Sequence, residues 1–221
     1  MSAKKKGRAV LIVGATGLVG GECLRLLLDD PTVSRVVALA RRPLPASVKS
    51  PKLEACLTDF DRLVEQTSLF RVQQVVCALG TTIHQAGSPG RFRDVDYGLS
   101  LEVARMAASQ GVKHFLLVSA LGADPRSFFF YSRVKGELEA AVGKLPFRSL
   151  TIVRPSLILG DRREQRLVEE LGKRLAFLVP ERYRPVEARD VAAALAAAGR
   201  GDAPGVRIVE SHEIRALASA A

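Results

Sequence analysis

Tyr131 and Lys135 stand four residues apart in a segment with helical spacing, so their side chains share one face. Such a pair can do acid–base chemistry. A free tyrosine phenol has a pKa near ~10, high for a ready proton donor and acceptor. An ammonium beside it stabilises the tyrosinate and lowers that value. The same spacing also occurs in plain surface pairs, so its surroundings decide its meaning. A second group sits near the N-terminus. Gly14-Ala15-Thr16-Gly17-Leu18-Val19-Gly20 has the form GxxGxxG, between an apolar β-branched run and a helical one. Gly14 permits a tight turn, Gly17 lets a pyrophosphate approach the backbone, and Gly20 lets the helix pack on the strand. Free N–H groups at the helix start then hold phosphate, aided by the helix dipole. Thr16, Leu18 and Val19 complete this dinucleotide loop, for which a glycine-rich turn without a ligand is the alternative reading.

The end of the second strand selects the cofactor. Sites that take NAD usually carry Asp or Glu there for the ribose 2′-hydroxyl. This strand ends at Ala40, and Arg41-Arg42 follow at once. No carboxylate repels a 2′-phosphate, and a guanidinium can bind one in bidentate fashion. NADP(H) is therefore the preferred ligand, with NAD(H) as the alternative. Two ordinary surface arginines are the other reading of the pair. Asp59, beside Phe60 and just past the third strand, caps either the adenine edge or a following helix. Ala78, Leu79 and Gly80 close the fourth strand, where backbone runs near the cofactor.

These groups need a scaffold. Short apolar runs at 8–13, 35–40, 53–57, 72–79, 114–119 and 150–153 read as strands, and helical runs cover 18–29, 94–110 and 131–142. Gly111 and Gly143 supply stop signals. The strands are continuous apolar runs, as expected when helices bury both faces. Repeated strand–helix–strand units predict an α/β, doubly wound parallel sheet in one domain spanning 1–221. After Pro155 the rhythm loosens into a charged helix at 161–175, a short strand at 184–187, an alanine-rich helix at 188–199 and a last strand at 206–210. Residues 156–221 are expected to form a small substrate-side cap. The polar loop 81–93 leaves the carboxyl end of the fourth strand, where ligands bind in such sheets, and is expected to fold over the nicotinamide.

With its elements in this order, the chain resembles the short-chain dehydrogenases/reductases. Tyr-x-x-x-Lys at 131–135, with Ser119 twelve residues upstream and GxxGxxG at the N-terminus, carries the resemblance. The GxxG spacing looks like the extended and atypical branches. Val118-Ser119-Ala120-Leu121-Gly122-Ala123-Asp124, Phe130 to Glu137, Arg154-Pro155-Ser156 and Arg184-Pro185-Val186 are most similar to the Tat-interacting oxidoreductases and their bacterial relatives. The resemblance implies hydride transfer between a nicotinamide and a small carbonyl or alcohol. Tyr131 would be the acid/base and also lie against the cofactor, Lys135 would tune it and bond the nicotinamide ribose, and Ser119 would orient the substrate oxygen. Pro155 would lie against the cofactor. Extended members usually have Asn near the position of Asp96, so this chain departs from them there.

Bulk properties narrow the field further. Hydrophobic residues at 48% exclude a disordered chain. Lysine and arginine outnumber acidic residues by 33 minus 23, or +10, which favours anionic partners. No nucleic-acid motif or Walker loop accompanies that charge, and no apolar stretch is long enough to span a bilayer. Cys23, Cys56 and Cys77 are odd in number and far apart, which suggests buried reduced thiols in a cytoplasmic protein. Lys4-Lys5-Lys6 before an apolar run imitates a signal peptide, but the run turns at once into the glycine pattern and reads as a first strand with a basic tail. His84, His114 and His212 are isolated, so no metal site is expected. Two functions follow. One is an NADP(H)-dependent oxidoreductase acting on a small molecule; the other is an NADP(H)-binding sensor or partner-binding protein with little turnover. Helices of this fold often pair subunits, and oligomeric state stays open.

Overall fold

The computed structural model describes residues 7–159 and 180–219. Its main sheet contains β1 (Arg8–Val13), β2 (Val33–Ala40), β3 (Leu53–Leu57), β4 (Gln74–Cys77), β5 (His114–Val118) and β6 (Ser149–Arg154). A two-stranded pair, β7 (Ile158–Leu159) and β8 (Val186–Glu187), stands apart, and β9 (Gly205–Glu210) closes the main sheet. The order is β3-β2-β1-β4-β5-β6-β9, and every neighbour is parallel. The expected doubly wound α/β fold is therefore present.

Strand parity divides the core into two layers. Leu11, Val13, Val37, Leu39, Val75 and Cys77 face Phe70, Ala104 and Leu138 on one side. Val10, Ile12, Val36, Ala38 and Val76 face Leu24, Leu27, Val191, Leu195 and Ile214 on the other. Successive strand side chains point to opposite faces, so unbroken apolar runs become necessary once both faces are covered. Each fully buried Val, Leu, Ile or Phe among them contributes roughly 1.5–3 kcal/mol relative to exposure.

The covering helices are α1 (Leu18–Asp29), α2 (Ile83–Ala86), α3 (Pro89–Arg93), α4 (Ser100–Ser109), α5 (Phe130–Val142), α6 (Ala188–Arg200) and α7 (Ser211–Ser219). A kinked 3₁₀ segment at Phe60–Phe70 and a π-helical turn at Asp94–Leu99 supplement them. The polar stretch expected as a loop at 81–93 contains two short helices. Thr82 caps α2 by accepting the Gln85 N–H at 3.0 Å. Ser88 caps α3 by accepting the Arg91 N–H at 3.2 Å, with Pro89 in the first turn. Both are ordinary N-cap chemistry. The long helix expected at 94–110 is a π-helical turn followed by α4, and β4 is shorter than the run 72–79. The C-terminal elements α6 and β9 belong to the layers of the sheet, while the helix expected at 161–175 lies outside the described residues. Among the described residues no helix is long and apolar enough to cross a membrane.

Neighbouring β1 and β4 mark the point where chain order reverses, and ligands bind beyond the carboxyl ends of strands at such a point. The opposite, amino edge is closed by polar side chains. Asp30 pairs with Arg8 at 2.9 Å and Arg200 at 3.3 Å. Gln74 Nε2 donates to His114 Nδ1 at 3.2 Å, and His114 Nε2 faces Thr151 Oγ1 at 2.9 Å. Arg8 and Gln74 both donate to the Gly199 carbonyl, tying the end of α6 to the sheet.

Candidate active site

The glycine loop leaves β1 and enters α1. Gly14 adopts φ +88, and a Cβ there would collide with the Ala78 carbonyl beyond β4. A Cβ on Gly20 would collide with the Gly14 carbonyl, so the first turn of α1 presses directly on the loop. Only glycine satisfies both close approaches. Gly17 caps α1 without a side chain, and no acidic residue occupies the first turn. Thr16, Gly17 and Leu18 are exposed, whereas the side chain of Val19 is buried. The helix therefore offers bare, outward N–H groups to an anion, as a dinucleotide phosphate requires. Ala78 and Leu79 are half-buried and Gly80 is exposed at the next strand end.

The two arginines after β2 are separated. Arg41 lines a cleft of about 780 Å³ with Thr58, Asp59, Phe60, Asp94 and Glu102. Arg42 lines another, about 360 Å³, with Leu44, Val48 and Lys49. Asp59 and Phe60 thus share a cleft with only one of the pair. The Asp59 carbonyl also accepts the Arg62 N–H at 3.0 Å, as the start of a helical segment would.

Across β4 from the glycine loop, α5 carries Tyr131, Lys135 and Glu139 on one side. Tyr131 is 39% exposed, and its ring packs 5.5 Å from Phe92 of α3. Arg93 of α3 also pairs with Glu137 of α5 at 2.6 Å, so the segment after β4 forms one wall of the tyrosine site. Lys135 is buried. Its Nζ lies 2.6 Å from Asp96 Oδ1, and the two side chains are 5% and 0% exposed. Asp96 Oδ2 accepts the Thr81 N–H at 2.9 Å. The contact of Oδ1 with the ammonium is a buried ion pair. Burial pushes the Lys135 ammonium toward losing its proton, but the charge of Asp96, and then Tyr131, outweighs this and raises its pKa. Burial pushes the nearby Cys77 thiol up, which makes it an unreactive neighbour.

Ser119 is buried at the end of β5, and its hydroxyl donates to Glu139 Oε1. Arg154 of β6 grips both oxygens of Glu139, with Nε 3.0 Å from Oε1 and Nη2 2.5 Å from Oε2. It also donates to Glu210 of β9 at 2.9 Å. The hydrogen bonds that Arg154 donates to Glu139 raise the pKa of its guanidinium despite its partial burial. A carboxylate so paired only accepts, so Ser119 gives its single proton to Glu139 and presents lone pairs elsewhere. Pro155 is buried, and its carbonyl accepts the Leu121 N–H at 2.8 Å. Glu139 and Glu210 lie outside the motifs and Arg154 lies within one, but only the structure brings the three together behind Ser119. The four-residue interval from Lys135 to Glu139 is the available signal for the first; the other two become neighbours only when β6 and β9 pair.

Comparison with known proteins agrees with this fold. A family model described as NAD(P)H-binding matches residues 14–200. The protein named fmp52, mitochondrial, of Aspergillus clavatus is 38% identical over 181 residues, covering 79% of this chain and 76% of that protein. HTATIP2 of Rattus norvegicus is 36% identical over 182 residues, covering 81% and 75%. The Bordetella bronchiseptica enzyme WbmG, solved with NAD, superposes with a TM-score of 0.69 at 16% identity, over 99% of this chain and 78% of that one. This last likeness concerns the fold alone. The chain belongs to the NAD(P)H-binding family, with a Rossmann fold. Within it, the chain is an atypical short-chain dehydrogenase/reductase related to HTATIP2, in keeping with its motifs. The cytoplasmic location inferred from the cysteines does not stand, because the fungal relatives are named mitochondrial. Free thiols, buried at Cys23 and Cys77 and half-buried at Cys56, record a lack of disulfides and do not distinguish between compartments.

Proposed function

We propose that the protein is an NADP(H)-dependent oxidoreductase that interconverts a small carbonyl compound and its alcohol. The observation that carries this reading is the placement of the buried Lys135 ammonium beside Tyr131, at the β4 end that also borders the glycine loop. The bare N–H groups of α1 would hold the pyrophosphate, and Arg41, in the cleft with Asp59 and Phe60, would favour a 2′-phosphate at the end of β2. The nicotinamide, when bound, supplies or accepts hydride. Tyr131 gives its phenolic proton to the carbonyl oxygen in reduction and takes it back in oxidation. Lys135 holds the tyrosine and nicotinamide ribose in register. Ser119, its proton committed to Glu139, orients a neighbouring hydroxyl through its lone pairs.

Tyr131→Phe removes the exchangeable proton and keeps the ring against Phe92. Turnover of a panel of aldehydes, ketones and quinones, followed by NADPH absorbance, should fall at least ~100-fold. NADPH affinity should stay within about twofold, since one non-binding hydroxyl is lost. Full turnover by the Phe variant would remove Tyr131 from the chemistry.

A further inference from the structure

The Asp96–Lys135 pair has an electrostatic consequence for whatever nicotinamide lies beside it. Asp96 comes from the π-helical turn and Lys135 from α5, yet they meet at the carboxyl end of β4. A Cβ on Gly80 would stand 3.6 Å from Asp96 Oδ1 and 3.9 Å from Lys135 Nζ. The pair is therefore directly under exposed backbone on the strand bordering the glycine loop. Its other close ionisable neighbours are Tyr131 and Cys77. Protein encloses both charges, so water screens them little. A lone ammonium in this place would act as a full positive charge on the site. Paired at 2.6 Å with a carboxylate, it acts as a short dipole.

The two redox forms of a nicotinamide differ by one unit of ring charge: the oxidised ring is cationic and the reduced ring is neutral. We propose that Asp96, by cancelling the charge of Lys135 beneath Gly80, allows the site to hold the oxidised nicotinamide nearly as well as the reduced one. Asp96 is then a positioning residue with a second duty. It fixes the ammonium and the Thr81 backbone, and it sets the oxidation-state preference of the cofactor site. This inference rests on the reading that Lys135 faces the nicotinamide end of the cofactor.

Charge counting gives the test. Full-length wild type, Asp96→Asn and Lys135→Gln are titrated calorimetrically with NADPH and NADP⁺ at pH 6.5, or with NADH and NAD⁺ if the wild type takes those. Asn keeps the acceptor for Thr81 but leaves the ammonium unbalanced. The affinity ratio should move toward the reduced form by about tenfold, a modest value for one unit charge at several ångströms in a partly screened site. Gln leaves the carboxylate unbalanced and should move the ratio about as far toward the oxidised form. Loss of packing or of a ribose contact would weaken both redox forms together and could not produce opposite shifts. The two variants also guard against one failing to fold. Unchanged ratios with intact binding overturn the charge argument alone. Binding of neither form by the wild type overturns the cofactor reading, and this inference with it.

Discussion

The two ends of the sheet both carry buried charge, but they use it differently. At the amino edge Asp30, Gln74, His114 and Thr151 are turned inward. Asp30 takes Arg8, Arg200 and Thr32, and the Gln74–His114–Thr151 chain ends on the Gly199 carbonyl. Burial would raise the pKa of Asp30, but the Thr32 hydroxyl and N–H, followed by Arg8, hold it below the usual carboxylate range. At the carboxyl edge the ion pairs also close on themselves, yet Tyr131, the glycine-loop N–H groups and the Arg41 cleft stay open. One network clamps α6 to the sheet. The other uses similar buried charge to hold exposed groups in place. Reactivity therefore depends on what a network leaves uncovered, more than on how much charge it contains.

Variants can break or sharpen this contrast. The largest stability change is expected from Asp30→Ala, which strands Arg8 against the Gly199 carbonyl. Thermal or urea unfolding should show a loss of about 3 kcal/mol, in the range for breaking a buried pair. NADPH affinity should hold within about twofold, because the clamp lies a full strand length from the cradle. A large affinity loss would erase the distinction between the edges. Glu139→Gln, at the carboxyl edge, should cost less stability, about 1–2 kcal/mol, because one oxygen still accepts from Arg154. Turnover should nevertheless fall about tenfold, equivalent to roughly 1.4 kcal/mol of misplaced Ser119. Unaltered kcat and KM would reduce Glu139 to a structural strut.

Arg41→Ala should weaken NADPH about tenfold while sparing NADH, the scale of one lost charge-assisted hydrogen bond. Arg42→Ala, on the other cleft, should change either affinity by no more than about twofold. Equal losses would put the two guanidiniums back into one site. The smallest effect is a pH dependence at the amino edge. Burial lowers the pKa of His114 in the folded protein. The unfolded chain then binds the proton more readily, so stability is whole above about 6.5 and falls as pH drops toward the folded value. Melting temperatures between pH 8 and 5 should decline in the wild type and flatten in His114→Gln. Asp30 titrates in a more acidic window and leaves this range clear.

Much of the fold is legible in local sequence. The glycine loop, the strand runs of β1 and β3, and α1 end where their apolar pattern and turn residues say they should. The helices α2 and α3 escape such reading because short caps at Thr82 and Ser88 carry little apolar periodicity. A cytoplasmic location inferred from Cys23, Cys56 and Cys77 fails for another reason: thiols that core packing buries, as at Cys23 and Cys77, or half-buries, as at Cys56, look the same in any reducing compartment, so packing does not encode the address.

The sequence by itself determined the doubly wound fold, the glycine cradle and the shared face of Tyr131 and Lys135, because periodicity and close packing act within a few residues. The tertiary structure alone decided that Asp96 meets Lys135, that Glu139 takes the Ser119 proton, and that Arg41 parts from Arg42. Those contacts join elements distant in the chain or on different sides of a strand end. Burial within the packed layers turns such meetings into strong interactions, and burial is a property of the assembled sheet.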